Sequence, residues 1–117
     1  MFTPNATLLR ITFGTGFDAS GQPLDWRTVA DATTAFVAAV DKAAGGHTRY
    51  TAFGSSVEQP TGEGSTIVEV LVFDHPIDPA RANAAVNAVI DATTVLRDSL
   101  AQGSVLFTAT RSFASFI

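Results

Sequence analysis

The chain has 117 residues, of which 46% are hydrophobic, and this length predicts a single domain over residues 1–117 with one core. Seven Lys and Arg stand against eleven Asp and Glu, giving a net charge of -4, and because the cations are scattered we do not expect nucleic-acid binding. The chain contains no cysteine, which excludes disulfides, thiolate metal ligands and cysteine nucleophiles.

The first predicted element is a strand over residues 7–14, in which apolar and polar residues alternate as in a strand buried on one side. The side chains expected to face the core are Leu9, Ile11 and Phe13. A glycine-rich stretch, residues 14–21, follows at a place where phosphate-binding loops occur. Its glycine spacing matches neither nucleotide fingerprint, and Asp18 would repel a phosphate. We therefore interpret this stretch as a mobile turn.

A helix is predicted over Trp26 to Ala44, where apolar residues recur at helical spacing. Asp25 is a good N-cap for it, and the pair Gly45-Gly46 supplies a left-handed stop. A second strand is predicted over residues 47–53, which are rich in Thr and aromatic residues.

The strongest strand signal covers residues 65–73, and both faces of this strand are apolar. One face presents Val68, Val70 and Val72. The other presents Ile67, Leu71 and Phe73, with Glu69 among them. This composition predicts a central strand whose second face needs a cover that the chain's own helices do not supply.

The last predicted elements are a helix and a strand. Asp78 is the expected N-cap, with Pro79 at the first helical position, and the helix is expected to stop near Gln102-Gly103. The final strand is predicted over residues 104–110, and residues 111–117 either extend it or form an arm.

The order strand, helix, strand, strand, helix, strand predicts an α+β fold of the ferredoxin-like type, a four-stranded antiparallel sheet with two helices on one face. The open face would expose an apolar patch of the kind that marks an interface, so we expect a homodimer or another homo-oligomer formed through this face. The expected interface residues are Arg10, Ile67, Glu69, Leu71 and Phe73. The alternative is that a long loop or the C-terminal arm covers the same face.

No stretch of the sequence approaches the roughly eighteen apolar residues of a membrane span, and the N-terminus lacks a basic region followed by an apolar run. We therefore expect no membrane partner and a cytoplasmic protein.

Four stretches resemble a loose group of small uncharacterised ferredoxin-like proteins of bacteria, phages and plasmids. They are the turn at residues 14–24, the helix stop at residues 45–48, the strand centre Val68-Glu69-Val70, and residues 102–108. Similar chains usually carry a Trp after the second strand, where this chain has Ser55-Ser56-Val57. The resemblance implies no established activity.

Arg10 and Glu69 are the candidates for a catalytic pair, since both are charged residues on strands expected to be neighbours. The favoured interpretation is an ion pair that fixes register in an interface, because buried charged pairs act more often in specificity than in turnover. In the alternative, Glu69 is a general base in an apolar pocket and Arg10 holds an anionic substrate.

We predict no cofactor and no metal site. His47 and His75 are the only histidines, and a metal site would need Asp74 or Asp78 to join them. His47 is expected beside the helix stop and His75 in a turn.

A small ligand pocket lined by Trp26, Arg49 and Tyr50 is a further prediction, although such a Trp more often fastens a helix to its sheet. The first functional hypothesis is a non-catalytic, homo-oligomeric accessory protein, of phage or mobile-element origin, that binds a protein or small ligand. The alternatives are a small cofactor-free enzyme of the dimeric ferredoxin-like type, similar to isomerases or monooxygenases, and a phage structural subunit.

Overall fold

A computed structural model describes residues 2–55, 62–74 and 79–117 of the chain. The elements are β1 (Ala6–Gly14), α1 (Trp26–Ala44), β2 (Thr48–Gly54), β3 (Glu63–Phe73), α2 (Pro79–Ser99) and β4 (Leu106–Ser112). The strands form one sheet in the order β2-β3-β1-β4, and every neighbouring pair is antiparallel. This arrangement confirms the predicted ferredoxin-like α+β fold.

The two central strands β1 and β3 carry the core, because their alternate residues face the two packed helices. Pairing over the whole of β1 places Arg10 opposite Glu69 and Ile11 opposite Val68. The buried apolar residues of the core are Leu9, Ile11, Phe13, Phe36, Val40, Val68, Val70, Val72, Ala85, Val89, Leu96 and Leu100. The opposite surface of the sheet, which we call the open face, carries the other residues of the alternation.

Helix α1 has the predicted bounds, and both of its predicted caps are present. The Asp25 side chain accepts a hydrogen bond from the backbone N–H of Arg27 at 3.1 Å, which satisfies one of the free donors of the first turn. At the other end, Gly45 adopts φ 87° and its N–H donates to the carbonyl of Asp41. The expected N-cap of α2, Asp78, lies outside the described residues, as does His75.

We predict that Gly45→Ala lowers the free energy of unfolding by about 1 kcal/mol, because a Cβ is unfavourable at this left-handed backbone conformation. Gly46→Ala is the matched control, since Gly46 lies outside the left-handed region and a Cβ there meets no atom within 4 Å in the part of the chain that the structure describes. Urea denaturation of both variants measures the difference. Equal loss in the two variants would contradict the role of the Gly45 conformation.

The glycine-rich stretch between β1 and α1 is a turn whose polar groups are satisfied internally. Asp18 accepts hydrogen bonds from the N–H groups of Ser20 and Gln22, each at 2.9 Å, and from the Ser20 hydroxyl at 2.7 Å. These bonds, led by the one from the Ser20 side chain, lower the pKa of Asp18. The N–H of Gly16 donates to the Glu63 carboxylate at 3.2 Å. The backbone N–H groups of the loop are therefore already bound to two carboxylates, its own Asp18 and Glu63 of β3, which agrees with the interpretation that it is not a phosphate site.

Strand β4 begins two residues later than predicted, because the segment before it bonds to that turn instead of to β1. The Gln102 side chain donates to the carbonyl of Phe17 at 2.7 Å, and the Ala101 carbonyl accepts from the N–H of Ala19 at 2.9 Å. Residues 111 and 112 extend the strand, so that the arm comprises only residues 113–117.

The C-terminal arm crosses the end of the sheet from β4 towards β3. Its root is held by Asn5, whose side chain donates to the carbonyl of Ala114 and accepts from its N–H, both at 2.9 Å. Phe113 stacks on Phe2 with ring centroids 4.7 Å apart, and Phe116 lies 5.9 Å from Phe73. The arm thus reaches one end of the open face. Leu71, two residues before the end of β3, remains 39% exposed.

Within the part of the chain that the structure describes, neither helix combines the length and the apolar character of a membrane span.

Candidate functional site

The polar centre of the open face is a three-residue cluster built on β1, β2 and β3. Arg10 donates to Glu69 Oε1 from Nε at 3.2 Å, and its Nη2 lies 3.2 Å from the same oxygen. The Tyr50 hydroxyl also donates to Glu69 Oε1, at 2.5 Å. Strand pairing brings them together, since Glu69 is opposite Arg10 and Tyr50 is opposite Ile67, two residues before Glu69.

The contacts of Glu69 leave one of its oxygens available. Both hydrogen bonds and the ion-pair contact go to Oε1, and none of the hydrogen bonds among the described residues goes to Oε2. The Glu69 side chain is 24% exposed and that of Arg10 is 48% exposed. The arrangement holds a carboxylate in a fixed orientation while keeping an acceptor for another molecule.

The contact with Glu69 changes the pKa of the Tyr50 hydroxyl. The hydrogen bond to Glu69 is the main cause that raises the pKa of Tyr50, with desolvation and the negative charge of Glu69 adding to it and Arg10 opposing it. The phenol therefore stays protonated at a pH where an unfolded tyrosine ionises, and it serves as a permanent donor to the carboxylate at neutral pH.

We predict that the phenol of Tyr50 ionises above the ordinary value of about 10 and that Glu69→Gln moves its midpoint back towards that value. Absorbance of the phenolate against pH measures this cleanly, because Tyr50 is the only tyrosine in the chain. Since the folded pKa is raised, the contribution of the phenol to stability is present below pH 10 and is lost as the pH rises through the raised pKa. An unchanged midpoint in Glu69→Gln would contradict the pairing.

The predicted pocket of Trp26, Arg49 and Tyr50 is not formed, and this prediction is corrected. Strand alternation places Tyr50 on the open face and Arg49 on the face of the sheet that carries the helices. Trp26 is 71% exposed at the start of α1, where the guanidinium of Arg27 lies 5.2 Å from its ring centroid. The prediction from sequence put these three residues together without the strand alternation that sends Arg49 and Tyr50 to opposite faces of the sheet.

A cavity of about 410 Å³ opens beside the first residue of β2, where β3 continues past its neighbour; we call it the notch. One wall is the end of α1 and the turn into β2, and the other is the last part of β3 with the arm. The residues that line it are Leu8, Ala44, Gly45, Gly46, His47, Thr48, Glu69, Val70, Leu71, Phe73 and Phe116. Glu69 thus belongs both to the polar cluster and to the notch, and the volume is within the range of small-molecule sites.

His47 lies beside the helix stop, where the sequence predicted it. Its Nδ1 is 2.6 Å from Asp41 Oδ1, which orients the ring in the wall of the notch. The described residues contain no group of three His, Cys, Asp or Glu side chains suited to a metal ion. His75 and Asp78, which that hypothesis also involved, are outside this part of the chain.

Of the residues predicted for an interface, the open face holds all five, and it brings Arg10 and Glu69 into contact. Phe73 contacts the arm. Sequence reasoning missed Tyr50 as the partner of Glu69 and missed the notch. The sequence does show a polar aromatic residue, Tyr50, in the second strand. Its contact with Glu69 could be predicted only if the β2–β3 register were known.

Neither a protein-family model nor a curated protein sequence matches the chain. Solved structures do match: a phage SAM lyase in complex with S-methyl-5'-thioadenosine has a TM-score of 0.61 and 16% sequence identity, over 95% of this chain and 84% of that chain. A phage SAM lyase in the apo state has a TM-score of 0.61 and 20% identity, over 92% of this chain and 81% of that chain. Both neighbours are phage proteins, in agreement with the phage component of the sequence resemblance, and at this identity the likeness shows a shared fold.

Proposed function

We propose that this protein is a cofactor-free lyase that cleaves an S-adenosylmethionine-type sulfonium in the notch beside Glu69, and that it is of phage origin. The observation that carries the proposal is the carboxylate of Glu69, which is fixed through Oε1 by Arg10 and Tyr50, accepts no hydrogen bond at Oε2 from the described residues, and belongs to a residue that lines a cavity of about 410 Å³. The fold shared with phage SAM lyases supports it.

The charge of the site fits a cationic ligand. The chain has a net charge of -4, and a negative protein field favours the approach of cations. S-adenosylmethionine carries a sulfonium and an ammonium. Pairing Glu69 with the sulfonium would stabilise the substrate more than the transition state, because the sulfur loses its charge as it leaves. Glu69 is therefore assigned to the ammonium, whose charge persists through the reaction.

The reaction needs no co-reactant. The bond between sulfur and the aminobutyrate carbon breaks, and its electron pair stays on sulfur to give the neutral S-methyl-5'-thioadenosine. The carbon then forms a bond either to the substrate's own carboxylate, which gives a lactone, or to the neighbouring carbon as a double bond, with the proton of that carbon passing to solvent water. Arg10, half-exposed in the polar cluster beside Glu69, can hold or orient the carboxylate.

The experiment is to incubate the purified protein with S-adenosylmethionine and to separate the nucleosides by chromatography. We expect S-methyl-5'-thioadenosine to accumulate in proportion to protein, without added metal or cofactor. Substrate that decays at the rate of the protein-free sample would overturn the proposal.

A second candidate function is the non-catalytic, homo-oligomeric binding protein. It is favoured by the exposed apolar side chains of the open face, among them Leu71 and Leu106, because such a patch marks an interface when it is contiguous. In this case Arg10 and Glu69 fix the register between two copies. Solution mass together with the turnover assay separates the candidates, and a ring-shaped assembly without turnover would favour a phage structural subunit.

A further inference from the structure

Strand β3 extends beyond the end of its neighbour β2. The pairing of the two strands stops at Thr48 opposite Glu69, whereas β3 continues to Phe73. Along the last four residues of β3, one edge is paired with β1 and the other borders the notch. By the register, Gly46 would be the next partner of Leu71, but the chain there turns towards α1.

The backbone groups that face this free edge can be assigned from the hydrogen bonds of β3 on its other side. The Asp74 N–H donates to the carbonyl of Asn5, and the Gly64 carbonyl accepts from the N–H of Thr15. Both point towards β1, and backbone groups alternate between edges with period two. The N–H and C=O groups of Leu71 and Phe73 therefore point into the notch.

These groups have no hydrogen-bond partner among residues 2–55, 62–74 and 79–117. Exposed strand edges of this kind pair readily with other molecules, but only two residues contribute here. That is shorter than an ordinary strand of about five or six residues, so the edge fits a small planar group better than an added strand.

From these observations we infer that the free edge of β3 is the site of a purine base with an amino group, which is adenine in the proposed ligand. The Leu71 carbonyl accepts from the exocyclic amino group, and the Phe73 N–H donates to the adjacent ring nitrogen. The Phe73 and Phe116 rings supply apolar surface at the same wall. Glu69 lies two to four residues away on β3, about 7 to 13 Å at 3.3 Å per residue. The ribose and sulfur span this distance.

This base site rests on the proposed function for the identity of the base. It is tested by ligand binding and not by turnover. Calorimetric titration compares S-methyl-5'-thioadenosine with its 6-oxo counterpart, 5'-methylthioinosine. We expect the oxo compound to bind at least ~10-fold more weakly, because its carbonyl faces the Leu71 carbonyl and its ring N–H faces the Phe73 N–H, so neither bond forms.

Gly46→Leu blocks the free edge, since Gly46 lines the notch and a Cβ there enters open space. Gly54→Leu is the matched control at the other end of β2, where a Cβ also meets no atom of the described residues within 4 Å. We expect Gly46→Leu to weaken S-methyl-5'-thioadenosine at least ~30-fold and Gly54→Leu to leave its affinity unchanged. Urea denaturation confirms that both variants are folded.

Equal binding of the two nucleosides, or full affinity in Gly46→Leu, would overturn the base site even if the lyase reaction is observed. Turnover by the wild type with no measurable binding of either nucleoside would also overturn it. If the wild type binds the amino nucleoside selectively but forms no product from S-adenosylmethionine, the base site stands and the proposed lyase activity fails.

Discussion

Glu69→Gln is expected to lower kcat/KM for the formation of S-methyl-5'-thioadenosine from S-adenosylmethionine by about 100-fold or more. The substitution preserves the size of the side chain and an oxygen that can accept from Tyr50, but it removes the negative charge that Oε2 presents to the ligand. A loss of 100-fold corresponds to about 2.7 kcal/mol of transition-state stabilisation, which is within the range of a charge-assisted contact.

The affinity of the neutral product separates this effect from a general loss of structure. S-methyl-5'-thioadenosine carries no ammonium and no sulfonium, so we expect its dissociation constant in Glu69→Gln to stay within about threefold of the wild type. Asp91→Asn is the matched control for net charge, because Asp91 is an exposed carboxylate on α2. We expect it to retain full turnover.

One outcome would assign the pair to assembly alone. If Glu69→Gln turns over substrate at the wild-type rate but changes the solution mass, Arg10 and Glu69 fix the register of an interface and have no part in the chemistry. The ionisation of Tyr50 then still reports whether the cluster is intact within one chain.

The elements that were predictable from the sequence are those whose signals are local. Asp25 and Gly45 determine the ends of α1 through the hydrogen bonds of one turn each. The alternation in β3 separates Val68, Val70 and Val72 from the open face, and the structure buries these three residues. Because these features depend on neighbours in sequence, the fold class followed from their order.

The features that were not predictable depend on contacts between distant segments. Tyr50 meets Glu69 only because β2 pairs with β3 in one register, and Arg49 faces the other way for the same reason. The notch arises because β3 has 11 residues and β2 has 7. β4 starts late because Gln102 bonds to the turn after β1. None of these partners lies near the residue concerned in the sequence.

Leu71→Asp is expected to convert the homo-oligomer of the second candidate function into a monomer of 12.2 kDa. Leu71 is an exposed apolar residue of the open face, and the arm reaches only the end of β3 at Phe73. A carboxylate at this position would be buried without a partner in each copy of the interface, which costs several kcal/mol. We expect the dissociation constant of the assembly to rise at least ~100-fold. Analytical ultracentrifugation over a range of protein concentrations measures it.

Val95→Asp is the matched control, because Val95 is an exposed apolar residue of α2, in the helical layer on the other side of the sheet. It should leave the solution mass unchanged.

Burying an apolar area of a few hundred Å² per copy contributes on the order of several kcal/mol at about 25 cal/mol per Å², less the cost of association. The cost of burying one unpaired carboxylate is therefore large enough to cancel the free energy that the interface gains from apolar burial. A wild-type protein that is a monomer at high concentration, or a Leu71→Asp variant with the wild-type mass, would contradict assembly through the open face. Adenosyl-ligand binding in the notch would then be a property of one chain.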